Sequence, residues 1–528
     1  MARYKHYDYG QTKLLPISYS RQILPGTFEH TLSYLIDNKI DLSVFEDRYQ
    51  NDETGAPAYD PAILLKIILF AYSKGITSSR VIASLCKEHV VFMALSADTT
   101  PHFTTIASFV STLEPQIVRL FRDVLLVCDE AGLIGKEMFA VEGVKLPSNA
   151  SKEWSGTKAD LKKKAYKLER GIEHLLKKHI ESDVTDDAPL QAARAKQMQT
   201  LHQAIDKIEG FLSRHDEKLG RSGKEKQSNI TDNESAKMPT SKGVVQGYNG
   251  IAMVDAKAQV IVHAEAHGEG AENSLLQPMI EGTKAAFQSL DLCDDVMQDA
   301  KLTADAGYSS EANAQYLFDS GIDAYVADTY YRKRDPRFQT QERHKPTRPD
   351  APFAKPKKEK TLFANTDFQL AEDRSHCICP AGKRLARQTA QVMVGDFDLM
   401  KFRGSQASGG GCPLRSHCLK HPDRTPFRQV AFVVGLTKRK PERYLEKMKR
   451  KIDSDHGRYQ YNRRLGTVEP VFANIRHTHR LNRFSLRGLK KVNSQWLLFC
   501  LVHNIGKVQH YGSRVMMTKK TKGRRRVA

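Results

Sequence analysis

Lys301-Leu302-Thr303-Ala304-Asp305-Ala306-Gly307-Tyr308 is the stretch on which the fold turns. Its first four residues read as a short strand, and the chain then breaks at an acid and a glycine turn. Upstream, 138–141 reads as a short buried strand ending in Glu142-Gly143. Between the two, 244–255 and 260–266 have strand composition on either side of a turn at 256–259, and a helix is predicted over 274–289. Downstream, Ser309 is placed to cap a helix over 310–317, and 322–327 reads as a further strand. This order of strands and helices predicts an α/β fold with a mixed sheet.

Working outward, residues from about 20 to 135 read as all-helical. Asp60-Pro61 is a helix start, with a carboxylate N-cap and Pro at N1, and Gly75 ends that helix. Ser78 or Ser79 is placed to cap the next helix, and Thr104 or Thr105 a third. Helix, short turn, helix suits a helix-turn-helix as well as a plain bundle. Within the polar stretch 152–225, Leu161, Leu168 and Leu175 recur every seven residues, and Leu201, Ile205, Ile208 and Leu212 follow at helical spacing. With the acidic turn 182–189 between them, this predicts an antiparallel helical hairpin inserted into the α/β pattern.

The predicted organisation is a helical N-terminal domain (1–135), to which the resemblance given below assigns DNA binding, a first piece of core (136–150), the helical hairpin insertion (151–240), more core (241–328), a basic arm with a Cys-rich insertion (329–428), the C-terminal core piece (429–506) and a basic flexible tail (507–528). Strand is predicted at 430–434 and helix from about Glu442.

Lys and Arg number 82 against 61 Asp and Glu, a formal net charge of +21, which favours a polyanionic partner, nucleic acid above all. The longest apolar run, 62–72, is too short to span a bilayer, and the first ten residues carry no signal-peptide core. Eight cysteines in 528 residues do not form a disulfide framework. Cys86, Cys128, Cys293 and Cys500 read as core thiols. A cytoplasmic chain is expected. No Gly-x4-Gly-Lys-Ser/Thr loop occurs, so no nucleotide cofactor is expected.

Three acids stand out by position. Glu142 and Asp305 end strands, where α/β folds place active sites. Glu469 lies near the start of a C-terminal helix, in Arg464-Leu465-Gly466-Thr467-Val468-Glu469-Pro470. Three converging carboxylates can hold two hard cations about 4 Å apart for phosphodiester displacement. Each acid can equally cap a helix or pair with a neighbouring cation. Around Glu469, Tyr461, Arg463, Arg464, Arg476, Arg480, Arg483 and Arg487 form a basic face suited to a phosphate backbone, or to solvent.

These segments, with Pro61-Ala-Ile-Leu-Leu-Lys66, Gly75-Ile-Thr-Ser-Ser-Arg80, Phe103-Thr-Thr-Ile-Ala-Ser-Phe109, Gly247-Tyr248-Asn249, Arg487-Gly488-Leu489 and His503-Asn504, resemble the DDE transposases of bacterial insertion sequences across nearly the whole chain. The resemblance implies a ribonuclease-H-like core, an Asp, Asp, Glu triad with Mg2+ or Mn2+, and an N-terminal domain that reads terminal inverted repeats. It also implies target DNA as a second partner, a homodimer synapsing two ends, and a nucleoid-associated bacterial protein. Tyr461, Arg464, Glu469 and Arg476 resemble the family's Tyr-Arg-Glu-Lys signature. One departure matters: the first acid is Asp in the family and Glu142 here, which moves the carboxylate outward by about 1.5 Å. Mg2+ demands near-ideal geometry. Two readings stay open, an active transposase and a decayed copy that binds DNA without cutting it. Asp255 is a substitute ligand to consider, although its hairpin belongs at the other end of the sheet.

Cys377-x-Cys379 and Cys412-x5-Cys418 can hold a structural Zn2+, or they are four reduced thiols without metal.

Overall fold

The computed structural model describes residues 18–49, 57–182, 188–220, 223–240, 243–338, 362–394, 397–436 and 442–512. It divides into two compact units, 1–335 with 444–528, and 336–443.

In the first unit the helices α1 (Phe28–Asn38), α2 (Pro61–Ser73), α3 (Ser79–Glu88), α4 (Val90–Leu95), α5 (Phe103–Ser111) and α6 (Glu114–Glu130) come first. Helix α2 starts because the Asp60 carboxylate accepts the Ala62 N–H at 2.7 Å ahead of Pro61. It ends at Gly75, whose φ of +76° disfavours a side chain. Helix α3 follows Ser78, which makes no side-chain cap bond. Helix α5 is capped by His102, whose ring accepts the Thr104 N–H at 3.4 Å, and not by Thr104 or Thr105. An imidazole nitrogen can accept as a hydroxyl does, and the Thr side chains fall inside the first turn.

Strand β1 (Met138–Pro147) runs well past the predicted 138–141. A two-residue ladder of β2 (Ser155–Gly156) and β3 (Ser228–Asn229) brackets two long helices, α7 (Lys158–Ser182) and α8 (Ala188–Arg214). They pack through Leu161, Ala165, Ile208 and Phe211, with Leu168 and Leu212 alongside; the predicted turn lies mostly outside the described residues.

The sheet continues with β4 (Ala236–Thr240), β5 (Gly243–Asp255), β6 (Ile261–His267), β7 (Lys301–Ala304) and β8 (Asp323–Val326). Its order is β4-β5-β1-β7-β8, with β6 also on β5. β1 runs antiparallel to β5 and parallel to β7; β8 is parallel to β7. Helix α9 (Leu276–Gln288) follows β6, and α10 (Glu311–Asp319) follows β7, capped by Ser310 rather than Ser309. The short α11 (Tyr331–Arg334) closes this part.

Three helices complete the unit after the second unit's strands. They are α14 (Tyr444–Asp453), α15 (Asp455–Ala473), which runs on into a π-turn at Asn474–Thr478, and α16 (Leu489–Tyr511). Helix α16 is buried almost all round, a pattern that belongs inside a core. It is stitched to the sheet: Trp496 Nε1 donates to Ile251 O at 3.0 Å, and the Asn504 amide pairs with both main-chain groups of Ile261. On another side it takes α2, with Tyr72 against Phe499 at 4.8 Å. The N-terminal helices and the sheet therefore share one hydrophobic core. Arg334 binds Asp328 with two hydrogen bonds (3.0 and 2.7 Å) and Asp453 with Nε at 2.6 Å, fastening β8's exit to the end of α14. No described helix is long and apolar enough to cross a membrane.

The second unit is a five-stranded antiparallel sheet, ordered β13-β12-β11-β10-β9. Its strands are β9 (Gln369–Leu370), β10 (His376–Ile378), β11 (Arg384–Val394), β12 (Phe397–Arg403) and β13 (Gln429–Leu436), with short helices α12 (Gln406–Gly409) and α13 (Arg415–Cys418) before β13. Phe368, Cys377, Leu385, Met400, Phe402 and Val430 form its core. Most of the basic arm, 339–361, lies outside the described residues, as does 513–528 of the tail.

Candidate active site

Glu142 is an interior residue of β1, not its end. The strand runs on because Gly143–Pro147 pair with Gly247–Ile251 of β5. On the other side β1 leaves its ladder with β7 at Val141↔Ala304. Glu142 and Asp305 are thus the next residues on two parallel neighbours, at the carboxyl edge where β7 stops. Asp305 turns the chain by accepting the Gly307 N–H at 2.9 Å.

Glu142 is held by Arg464 of α15, in a close ion pair with only 9% of the Arg464 side chain exposed. Burial pushes the Glu142 carboxyl above the usual carboxylate range; Arg464 opposes this and Asp305 adds to it. Arg464 also lies over the Tyr461 ring at 5.7 Å, and that ring meets Tyr331 edge-on at 4.9 Å.

Glu469 is not gathered with these two acids. It is exposed, five residues beyond Arg464, while Arg464, Thr467, Val468 and Val471 make the buried face of α15. Among the described residues no group of three or more His, Cys, Asp or Glu side chains is already arranged to hold a metal ion.

The predicted phosphate contacts divide into two sets. Arg463 is exposed, with a 3.3 Å bond to Gln460; Arg480 is exposed beside Gly75; Arg476 is half-buried. Arg483 and Arg487 instead brace the loop after β1, donating to Ser148 O at 3.0 Å and Asn149 O at 2.7 Å. Asp255 sits at the opposite end of the β1–β5 ladder, opposite Phe139, and accepts the N–H groups of Gly135, Lys136 and Lys257 at 3.0, 2.8 and 2.9 Å.

Sequence reasoning missed the neighbours of the pair. Glu272, in the loop after β6, reaches back to β1. Its Oε1 accepts from Asn249 Nδ2 at 3.1 Å and lies 3.3 Å from Lys145 Nζ. Tyr308 is fully buried beside it. Asn249 and Tyr308 stood inside recognised motifs; Glu272 carried no motif or periodicity of its own.

The zinc expectation gains no support. Cys377 belongs to the apolar core of its sheet, and burial pushes its thiol up to about 11. Cys379, Cys412 and Cys418 do line one small cavity, with Arg415. Cys86, Cys128 and Cys500 are buried free thiols.

Two family models match the chain: a transposase DDE domain over 378–509 and a transposase domain (DUF772) over 18–112. Both matches support an insertion-sequence DDE transposase. DDE transposase domains generally serve DNA transposition and use divalent metals. No curated protein and no solved structure matches it.

Proposed function

We propose that this transposase cleaves DNA at the ends of its own element and joins the freed 3′ ends to target DNA, on a ribonuclease-H-like core. The observation that carries this reading is the Glu142–Asp305 pair at the carboxyl edge of parallel neighbours β1 and β7. Strand order β6-β5-β1-β7-β8, with β5 antiparallel and β7 and β8 parallel to β1, supports that core.

The residues present suit a hard divalent cation. The donors are carboxylate oxygens, and two fully buried polar atoms beside them, Tyr308 Oη and Asn249 Oδ1, have no hydrogen-bond partner among the described residues. Glu142 and Asp305 would hold Mg2+ or Mn2+; Glu469, the third acid that the family resemblance implies, lies on the exposed face of α15. Such a cation supplies activation of the attacking oxygen and stabilisation of the leaving one. The protein's own contribution is charge and position. Arg464 balances Glu142 and holds it toward Asp305, while Arg463, Arg476 and Arg480 offer cations to the DNA backbone. Two ends must be held together, so the working form is a homodimer.

A second reading has its own support: Arg464 already neutralises Glu142, as in a decayed site that binds DNA without cutting it. Cleavage of a supercoiled plasmid bearing the element's ends, with Mg2+ and with Mn2+, separates the two. Cutting by the natural chain supports the active enzyme. Cutting only after Glu142→Asp identifies the decayed one. No cutting by either chain, with end binding intact, defeats the proposal of a carboxylate catalytic pair.

A further inference from the structure

We infer that Glu272 is a third carboxylate of this centre, a ligand for a divalent cation shared with Asp305 and Glu142. This rests on the reading of Glu142 and Asp305 given above, and it assigns a role to a residue outside the three acids legible in the sequence.

Two glycines reveal how close Glu272 lies. A Cβ on Gly307 would collide with Glu272 Oε2 and stand 3.1 Å from Asp305 Oδ1. A Cβ on Gly143, the residue after Glu142, would stand 3.3 Å from Glu272 Oε1 and 2.9 Å from Asn249 Oδ1. Both glycines therefore leave room for one carboxylate between β1 and the turn after β7. The Glu272 side chain is only 13% exposed. Its Oε1 is taken by Asn249 and Lys145, and Oε2 lies against Gly307, the residue whose added Cβ would also meet Asp305.

The surroundings ask for a cation. Asn249 and Tyr308 are both fully buried, and each carries an unpartnered oxygen: Oδ1 beside Gly143, and a hydroxyl that feels the charges of Glu272, Glu142 and Asp305. Buried polar atoms without partners are costly unless an ion or water meets them. The described structure pairs two side-chain cations with these acids, Arg464 on Glu142 and Lys145 on Glu272. Three carboxylates against two cations leaves room for further positive charge. All the donors are hard oxygens, as Mg2+ and Mn2+ prefer. Lys145 then competes with the cation for Glu272.

The test is Mn2+ binding to the full chain without DNA, followed by the signal of free Mn2+. Glu272→Gln keeps the shape and is expected to weaken binding about tenfold or more. Lys145→Met removes the competing ammonium and is expected to leave binding as tight or tighter. Mn2+ binding by Glu272→Gln within twofold of the natural chain, while Asp305→Asn loses it, overturns the role of Glu272 alone. Equal weakening by Glu272→Gln and Lys145→Met, with equal loss of melting temperature, makes the pair structural and also overturns it. Unchanged binding in Asp305→Asn, or none in the natural chain, removes the underlying carboxylate centre as well.

Discussion

Two acids sit on the same β1–β5 ladder, the buried Asp255 opposite Phe139 and the half-buried Glu142 opposite Ala252, and they are satisfied in different ways. Burial raises the carboxyl of both. Asp255 is answered by three main-chain N–H groups, none of which can leave without unfolding the turn. Glu142 is answered chiefly by one guanidinium at the end of a rotatable side chain. The first arrangement fixes structure. The second can be exchanged for another positive charge, which is the property a catalytic carboxylate needs.

The comparison can be broken most severely at Asp305. If the Glu142 end is the reactive one, Asp305→Asn should lower plasmid cleavage by on the order of a thousandfold, with end binding nearly intact in a gel-shift assay. A parallel loss of binding would make Asp305 structural. At the other end, Asp255→Ala should cost stability instead, about 3 kcal/mol or more in urea unfolding, by stranding three N–H groups. Asp255→Ala that unfolds like the natural chain would erase the distinction between the two ends.

A finer test lies in Arg464. Arg464→Met leaves Glu142 buried without its cation and should cost about 1–3 kcal/mol. Added Mg2+ should then raise the melting temperature of Arg464→Met more than that of the natural chain. An equal rise in both would mean that the guanidinium and the metal do not compete for Glu142.

The last effect expected is one of pH. His503, fully buried between Asn474 and the Gln259 carbonyl, is pushed down to about 3, chiefly by burial. The unfolded chain therefore takes up this proton first as pH falls below about 6.5. Stability from this site is complete above that value and is lost toward pH 3, at no more than about 1.4 kcal/mol per pH unit. His503→Gln should flatten the slope of unfolding midpoint against pH between 6 and 4. Some slope should persist from His263, which burial lowers to about 4. A slope unchanged in His503→Gln would assign the acid sensitivity elsewhere.

What could be read beforehand follows how local each signal is. The Asp60 cap, the Gly75 stop and the end of β7 at Asp305 depend on a few adjacent residues, and the sequence showed them. The full length of β1 did not show, because Glu142, Gly143 and Lys145 look like a turn until β5 is laid beside them. Glu272 was invisible for the same reason: its neighbours Gly143 and Gly307 are distant in sequence, one inside β1 and one in the turn after β7. The exposed face of Glu469 depends on how α15 is rotated against the sheet, which its own sequence, with Arg on both sides, leaves undetermined. Most of the second unit's sheet was missed too, since β11 is exposed along most of its length and buries only Leu385, leaving no alternating pattern to read.

The Arg334 clamp has a consequence in polymer terms. It joins points 119 residues apart, Arg334 and Asp453. Closing a free loop of that length costs about 4 kcal/mol of chain entropy, yet doubling it adds only about 0.6 kcal/mol. With the two ends pinned, the length of the chain between them changes that closure cost little. Insertions and deletions in the loops between β8 and α14 should therefore be tolerated far better than a single change at the clamp itself.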